Sequence, residues 1–209
     1  PQTGEILAMA STPDFDPNNY SQITDAILQR DMEAETQAIY EQLKASNPEN
    51  LTDDELLSQA QSQAYNEAVM SQWNSKAVNQ TYEPGSTFKA IVLSMALEEG
   101  LVDENDTFTC TGSVMVDGYS SPIHCSKRTG HGTQTLAEAV QNSCNPAFIA
   151  IGQRLGTDLF YQYFQAFGYT EMTGVDLPSE EKGINWGDDM TGVDLAVASF
   201  GQRFTVTPI

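Results

Sequence analysis

No apolar run in the chain reaches the length of a membrane-spanning helix, and no basic-then-apolar leader opens it. Positive charge is scarce as well. Nine lysines and arginines stand against 29 aspartates and glutamates, a formal charge of −20. Nucleic acid and anionic membrane surfaces need basic residues to neutralise phosphate, so this balance argues against both. It also gives no long-range attraction toward an anionic polymer, so binding must rest on local contacts. Cysteine and histidine are few: Cys110, Cys125 and Cys144, with His124 and His131. There is no Cys-x-x-Cys and no histidine-rich spacing, which argues against a zinc site. The two histidines lie in a stretch rich in glycine and serine and read as loop residues. What is present is ordinary for a folded chain. Hydrophobic residues make up 40% and charged residues 18% of 209 positions, enough for one domain with a real core. No internal repeat is visible.

Local signals divide the chain. Pro1 to Gly4 reads as a turn. Glu5 to Ala10 alternates, with Ile6 and Ala8 on one face and Leu7 and Met9 on the other, predicting a strand covered on both sides that needs a neighbour. Ser11-Thr12-Pro13-Asp14 breaks it. Residues 21–72 are rich in Gln, Glu, Ala and Ser. Ile23, Ile27, Met32, Ile39 and Leu43 mark one helix, stopped by Ser46-Asn47-Pro48. Thr52-Asp53-Asp54-Glu55 is a capping box opening a second helix through Leu56, Ala60, Ala64 and Met70. The two predict a helical hairpin, a solvated arm. Ser86 to Glu99 reads as a central helix ended by Gly100, and Asp103 to Thr109 as loop. Cys110 to Cys125 reads as a hairpin with Val114-Met115-Val116 as one strand and Asp117-Gly118 as its turn. Thr135 to Glu138 is another capping box, for a helix running to about Asn142. Asn145 reads as an N-cap with Pro146 at the first helical position. Thr157 is placed to cap an amphipathic helix whose stripe of Leu159, Phe160, Tyr163, Phe164 and Phe167 is core; Gly168 ends it. Thr173 to Gly183 is loop.

The chemistry concentrates in Tyr82-Glu83-Pro84-Gly85-Ser86-Thr87-Phe88-Lys89. A turn opens an apolar helix and sets a serine and a lysine three residues apart, on one helical face. A serine hydroxyl needs a base to become a nucleophile. A lysine can be that base when burial or the helix N-terminus lowers its pKa. Taken alone, Ser-x-x-Lys also describes a capped helix with a solvated lysine. The second element, Ser143-Cys144-Asn145, changes the weighting, because Ser-x-x-Lys followed by Ser-x-Asn is the order found in penicillin-binding proteins and serine β-lactamases. With these motifs, the sequence resembles the transpeptidase domain of a class B penicillin-binding protein of the Gram-positive division or sporulation type. Thr3 to Ser11, Tyr82 to Lys89, Gly130-His131-Gly132, Gln141 to Phe148, Thr173 to Pro178 and Ser199-Phe200-Gly201-Gln202 follow in family order. The resemblance covers nearly everything except residues 21–72.

That resemblance implies an α/β (α+β) fold of the penicillin-binding-protein and serine β-lactamase type, with helices packed on an incomplete antiparallel sheet. It implies a partial transpeptidase domain over residues 1–209 with a helical-hairpin insertion at about 21–72. The implied activity is D,D-transpeptidation of peptidoglycan stem peptides through a serine acyl-enzyme, with no cofactor. Ser86 is then the nucleophile and Lys89 its base. Ser143 relays a proton, Asn145 binds the substrate amide, and the Ser86 backbone N–H is one oxyanion donor. Ser143 as a helix end and Asn145 as a plain cap are the competing structural readings, and Glu83 reads as structural. Partners implied are stem peptides and β-lactams, with cell-division or elongation proteins left open. The implied location is the extracytoplasmic face of the cell membrane, anchored by a segment outside these residues. In such an oxidising compartment, Cys110 and Cys125 are candidates for a disulfide. Alternatives are a non-catalytic β-lactam sensor, which Asn145 speaks against, a β-lactamase, for which no deacylating glutamate motif is evident, and a structural cell-wall scaffold. The family's third element, Lys-Thr-Gly or Lys-Ser-Gly, is absent. Arg128-Thr129-Gly130 precedes Ser143 and is in the wrong place for it. Thr207-Pro208-Ile209 reads as a helix start, so the chain is expected to be cut at both ends and impaired as an enzyme.

Overall fold

The computed structural model describes residues 4–46 and 50–209. They fall into two compact units, Pro1–Asn79 and Gln80–Ile209. In the first, α1 (Ala26–Ser46) and α2 (Asp53–Trp73) form the expected hairpin. The capping box opens α2 as predicted: the Thr52 hydroxyl accepts the Glu55 N–H, and the Glu55 carboxylate accepts the Thr52 N–H. Ala60 and Ala64 let the helices approach, with Ile39, Tyr40 and Leu43 packed at that point. Ile27 and Met70, assigned to the apolar face from sequence, are exposed instead. Three donors of α2 hold the chain ahead of α1. Tyr65 Oη donates to the Ser21 carbonyl, Trp73 Nε1 to that of Tyr20, and Gln72 Nε2 to those of Tyr20 and Gln22. A short α3 (Lys76–Asn79) closes the unit. The helix stop at Asn47-Pro48 and the turn at Pro1 to Thr3 lie outside the described residues.

The expected strand at Glu5 to Ala10 is not formed. The segment has no regular secondary structure, and Ile6 and Leu7 are exposed. Alternation gives a strand its faces, but only a hydrogen-bonded neighbour makes it a strand, and none is found among the described residues.

The second unit begins with a 3-10 turn, Gly85–Phe88, that runs into α4 (Lys89–Glu98). Gly100 ends α4 as predicted: at φ 64° it donates to the Leu97 carbonyl while Leu101 donates to that of Ala96. Next come β1 (Thr107–Cys110), β2 (Ser113–Val114), β3 (Ile123–His124) and β4 (Gly132–Thr135). The antiparallel sheet takes the form of two two-stranded ladders, β1 with β4 and β2 with β3. Thus β1 occupies part of the stretch expected to be loop, and the predicted hairpin shrinks to two residues a side. The helices α5 (Leu136–Gln141), α6 (Asn145–Leu155), α7 (Thr157–Ala166) and α8 (Gly192–Ala198) follow. The Thr135–Glu138 capping box is present. Gly156, not Thr157, is the N-cap of α7.

Helix α6 is central: it packs on α4, α7 and α8 and on β1 and β3. Phe88, Val92 and Met95 meet Phe148, Ile151 and Leu155 of α6, Phe160 and Phe164 of α7, and Leu195 of α8. The Phe88 ring lies edge-on to Phe164, Tyr169 and Phe204. Burying each such side chain contributes about 1.5–3 kcal/mol, so the residue beside Lys89 is anchored in the main core cluster. Cys110, Cys125 and Cys144 are all buried free thiols, so the Cys110–Cys125 bridge is not formed.

Candidate active site

Ser86 is held by its neighbours in the turn. The Gly85 N–H donates to the Gly201 carbonyl at 2.7 Å, and the Glu83 carboxylate accepts the Arg203 N–H at 2.8 Å. Gly201 has φ 81°, and a Cβ on it would lie 2.0 Å from the Gly85 oxygen. The Ser199-Phe200-Gly201-Gln202 motif therefore buttresses the turn that carries Ser86 by a backbone approach that only glycine allows. Glu83 is structural, as its place in the turn suggested. Ser86 is exposed, while Phe88 and Lys89 are buried.

Lys89 is 4% exposed, yet no carboxylate pairs with it among the described residues. Its Nζ donates to the Ser143 carbonyl at 2.8 Å, to Ser143 Oγ at 2.9 Å and to Asn145 Oδ1 at 2.7 Å. Burial lowers its pKa to about 8, against an upward pull from the Cys125 and Cys144 sulfurs. The amine is thus easier to deprotonate than an exposed lysine, although the ammonium form still dominates below about pH 8.

Ser143 arrives at Lys89 through the end of α5. It donates its N–H to the Val140 carbonyl, Cys144 donates to that of Ala139, and Ser143 has φ 47°. This is a Schellman ending with serine where glycine is usual. Asn145 is the first residue of α6, and the N-cap is Cys144, correcting the sequence reading. Its side chain does not cap the helix. Nδ2 donates to the His124 carbonyl at 3.0 Å, which turns Oδ1 toward Lys89.

Lys89, Ser143 and Asn145 are therefore brought together, whereas none of these Lys89 bonds goes to Ser86, although the two share a helical face in the sequence pattern. With Lys89 neutral, the arrangement is compatible with one proton path. A neutral lysine has two N–H donors and one lone pair. The Ser143 carbonyl and Asn145 Oδ1 can only accept, so they take the two N–H groups. The lone pair must then face Ser143 Oγ, whose hydroxyl can donate into it and accept from elsewhere.

The whole chain, residues 1–209, matches the family model described as the penicillin binding protein transpeptidase domain. The chain belongs to that family. It is 37% identical over 211 residues to stage V sporulation protein D of Bacillus subtilis, covering all of this chain and 26% of that protein. It is 29% identical over 219 residues to the peptidoglycan D,D-transpeptidase MrdA of Acinetobacter baumannii, covering all of this chain and 28% of that protein. The chain thus spans about a quarter of the length of these relatives. A solved structure of penicillin-binding protein A from Mycobacterium tuberculosis, a ceftriaxone acyl-enzyme complex, superposes with a TM-score of 0.68 at 26% identity. That match covers 98% of this chain and 40% of the other.

Arg128-Thr129-Gly130 plays no part at Lys89. A Cβ on Gly130 would lie 2.3 Å from the Cys110 oxygen, so this glycine packs the loop between β3 and β4. Sequence reasoning missed two features. The His124 carbonyl that orients Asn145 is a backbone group and leaves no residue signal. The second is a cluster: ligand atoms of Cys110, Cys125, His131 and Cys144 all lie within 4.8 Å of one another. The expectation against a zinc site rested on spacing along the chain, which does not measure spacing in the fold. The signal that was available is that one of only three cysteines sits inside the Ser-x-Asn motif.

Proposed function

We propose that these residues supply the nucleophile, base and proton relay of a peptidoglycan D,D-transpeptidase, and that β-lactams acylate the same serine. Ser86 Oγ attacks the carbonyl between the two terminal D-alanines of a stem peptide. The Oγ–acyl bond forms, the C–N bond breaks, and D-alanine leaves as an amine. The Ser86 proton passes through Ser143 Oγ to Lys89 and returns by the same hydroxyl to the leaving nitrogen. An amine from a second stem peptide then attacks the ester, forming the cross-link and restoring the Ser86 hydroxyl. The Ser86 backbone N–H serves as one oxyanion donor, and Asn145 Nδ2 is available to the substrate amide once released from His124. The reaction belongs on the extracytoplasmic face of the membrane, and the partners are stem peptides, β-lactams and proteins of division or elongation. No described helix is long and apolar enough to cross a membrane.

The observation that carries this reading is the buried Lys89, held by Ser143 and Asn145 rather than by an acid. The test is acylation of the full-length protein by a fluorescent penicillin, with the adduct located by peptide mass spectrometry. One adduct at Ser86, absent in Ser86→Ala, is the expected result. Labelling that survives Ser86→Ala, or maps to another residue, would falsify the assignment.

A further inference from the structure

The cysteine cluster lies against the relay but takes no part in it. Cys110 ends β1, Cys125 follows β3, His131 precedes β4, and Cys144 is the residue between Ser143 and Asn145. Their ligand atoms lie within 4.8 Å of one another, and Cys125 Sγ is 3.6 Å from His131 Nδ1. A tetrahedral zinc ion with ordinary Zn–S and Zn–N bonds sets ligand–ligand edges of roughly 3.6–3.8 Å. The sulfur–nitrogen edge is already at that value, and the rest need close by at most about 1 Å. We propose that Cys110, Cys125, His131 and Cys144 bind one zinc ion as a closed, structural Cys3His site that clamps the Ser143–Asn145 turn.

The backbone around the cluster is built for this approach. The β1–β4 register pairs Cys110 with Gly132, which sets His131 beside the end of β1. The Cys125 N–H donates to the Gly112 carbonyl at 2.9 Å. A Cβ on Gly112 would lie 1.9 Å from the Arg128 oxygen, and one on Gly130 would lie 2.3 Å from the Cys110 oxygen. The two loops carrying the ligands touch backbone to backbone.

The groups around the ligands point the same way. Gln134 is 4% exposed; its Oε1 accepts from Asn142 Nδ2, but Nε2 has no hydrogen-bond partner among the described residues. That amide faces the Cys144 sulfur, and the backbone amides of Lys127 and Asn145 face the Cys125 sulfur. A neutral thiol is a weak acceptor, whereas a metal-bound thiolate accepts strongly, so a thiolate at Cys144 gives the orphaned donor its partner. Thiolate and imidazole are the donors that suit zinc, and four protein ligands leave no open position for catalysis. A disulfide between two of the three cysteines would instead leave an odd thiol and the same unpaired amide.

Binding replaces three S–H protons by one Zn2+ and leaves the imidazole neutral, so three protons are released. The experiment measures metal in the full-length protein, purified without chelator, by mass spectrometry, together with thiol counting. One zinc per chain is expected, with the three thiols unreactive until chelator and denaturant are added. Cobalt should replace zinc and give a thiolate-to-metal charge-transfer band. His131→Ala should lose the metal, and His131→Cys, which supplies a fourth sulfur ligand, should keep it. Gln134→Leu should weaken zinc binding about 10- to 100-fold. Reduced, folded protein that takes up neither zinc nor cobalt would overturn the proposal. So would two of the three thiols found oxidised to a disulfide in the purified protein.

Discussion

Ser143 joins a left-handed backbone to a hydroxyl that Lys89 needs. Its φ of 47° suits glycine, and holding another residue there costs on the order of 1–3 kcal/mol. A helix end alone gains nothing from serine at that position, so the strain is explained by the bond to Lys89. Ser143→Gly separates the two roles. Relief of strain offsets the lost hydrogen bond and the greater freedom of unfolded glycine, so stability should stay within about 1 kcal/mol of the parent. Acylation should fall at least about 100-fold, the usual contribution of a positioned proton-transfer group. Thermal unfolding and penicillin labelling rates read the two effects. A stable variant that still labels at the parent rate would show that the proton leaves Ser86 by another route.

Between elements, the turn that carries Ser86 rests on a segment more than a hundred residues away in sequence. Gly201→Ala would put a methyl group 2.0 Å from the Gly85 oxygen at a backbone angle that alanine rarely adopts. The turn has to move, so both stability and the labelling rate should drop, with labelling at low temperature still slowed when the variant is folded. An unchanged rate would mean that the contact does not position Ser86. The α1–α2 hairpin should behave in the opposite way. Its buried apolar residues pack within their own clusters, and it carries none of the Lys89 partners. Replacing residues 21–72 by a Gly/Ser linker should leave penicillin labelling of the full-length protein intact, and complete loss would overturn that view. These elements also show what a single sequence reveals. The hairpin, α4 and α5 were legible because capping boxes and a C′ glycine are local chemistry. Strand β1 was not, because its partner β4 lies more than 20 residues on in the chain. Ser86, Lys89, Ser143 and Asn145 were legible as motifs. The bonding of Lys89 to Ser143 and Asn145 and the turning of Asn145 by His124 depend on side-chain directions that spacing does not set. The four-ligand cluster draws on the end of β1 and three connecting segments and has no contiguous pattern at all.

At the scale of the whole molecule, the site is expected to need groups beyond Ser86, Lys89, Ser143 and Asn145. The chain carries no Lys-Thr-Gly or Lys-Ser-Gly, the element that the family resemblance assigns to holding a substrate carboxylate. Lys89 itself is fully engaged. A formal charge of −20 makes the protein a poor host for an anionic ligand without such an anchor. The second oxyanion donor is also unassigned, and removal of one such donor costs about 100- to 1,000-fold in rate. Ile6 and Leu7 lie exposed on a segment without regular secondary structure, apolar surface that favours association. These 209 residues alone should therefore label slowly with penicillin, while a longer version carrying a Lys-Thr-Gly or Lys-Ser-Gly element should label fast and lose labelling in Ser86→Ala. Circular dichroism and thermal unfolding establish that the shorter protein is folded before the rates are compared. Equal rates in two folded proteins would show that Ser86, Lys89, Ser143 and Asn145 form a complete acylation site, and that the carboxylate anchor contributes nothing to the first step.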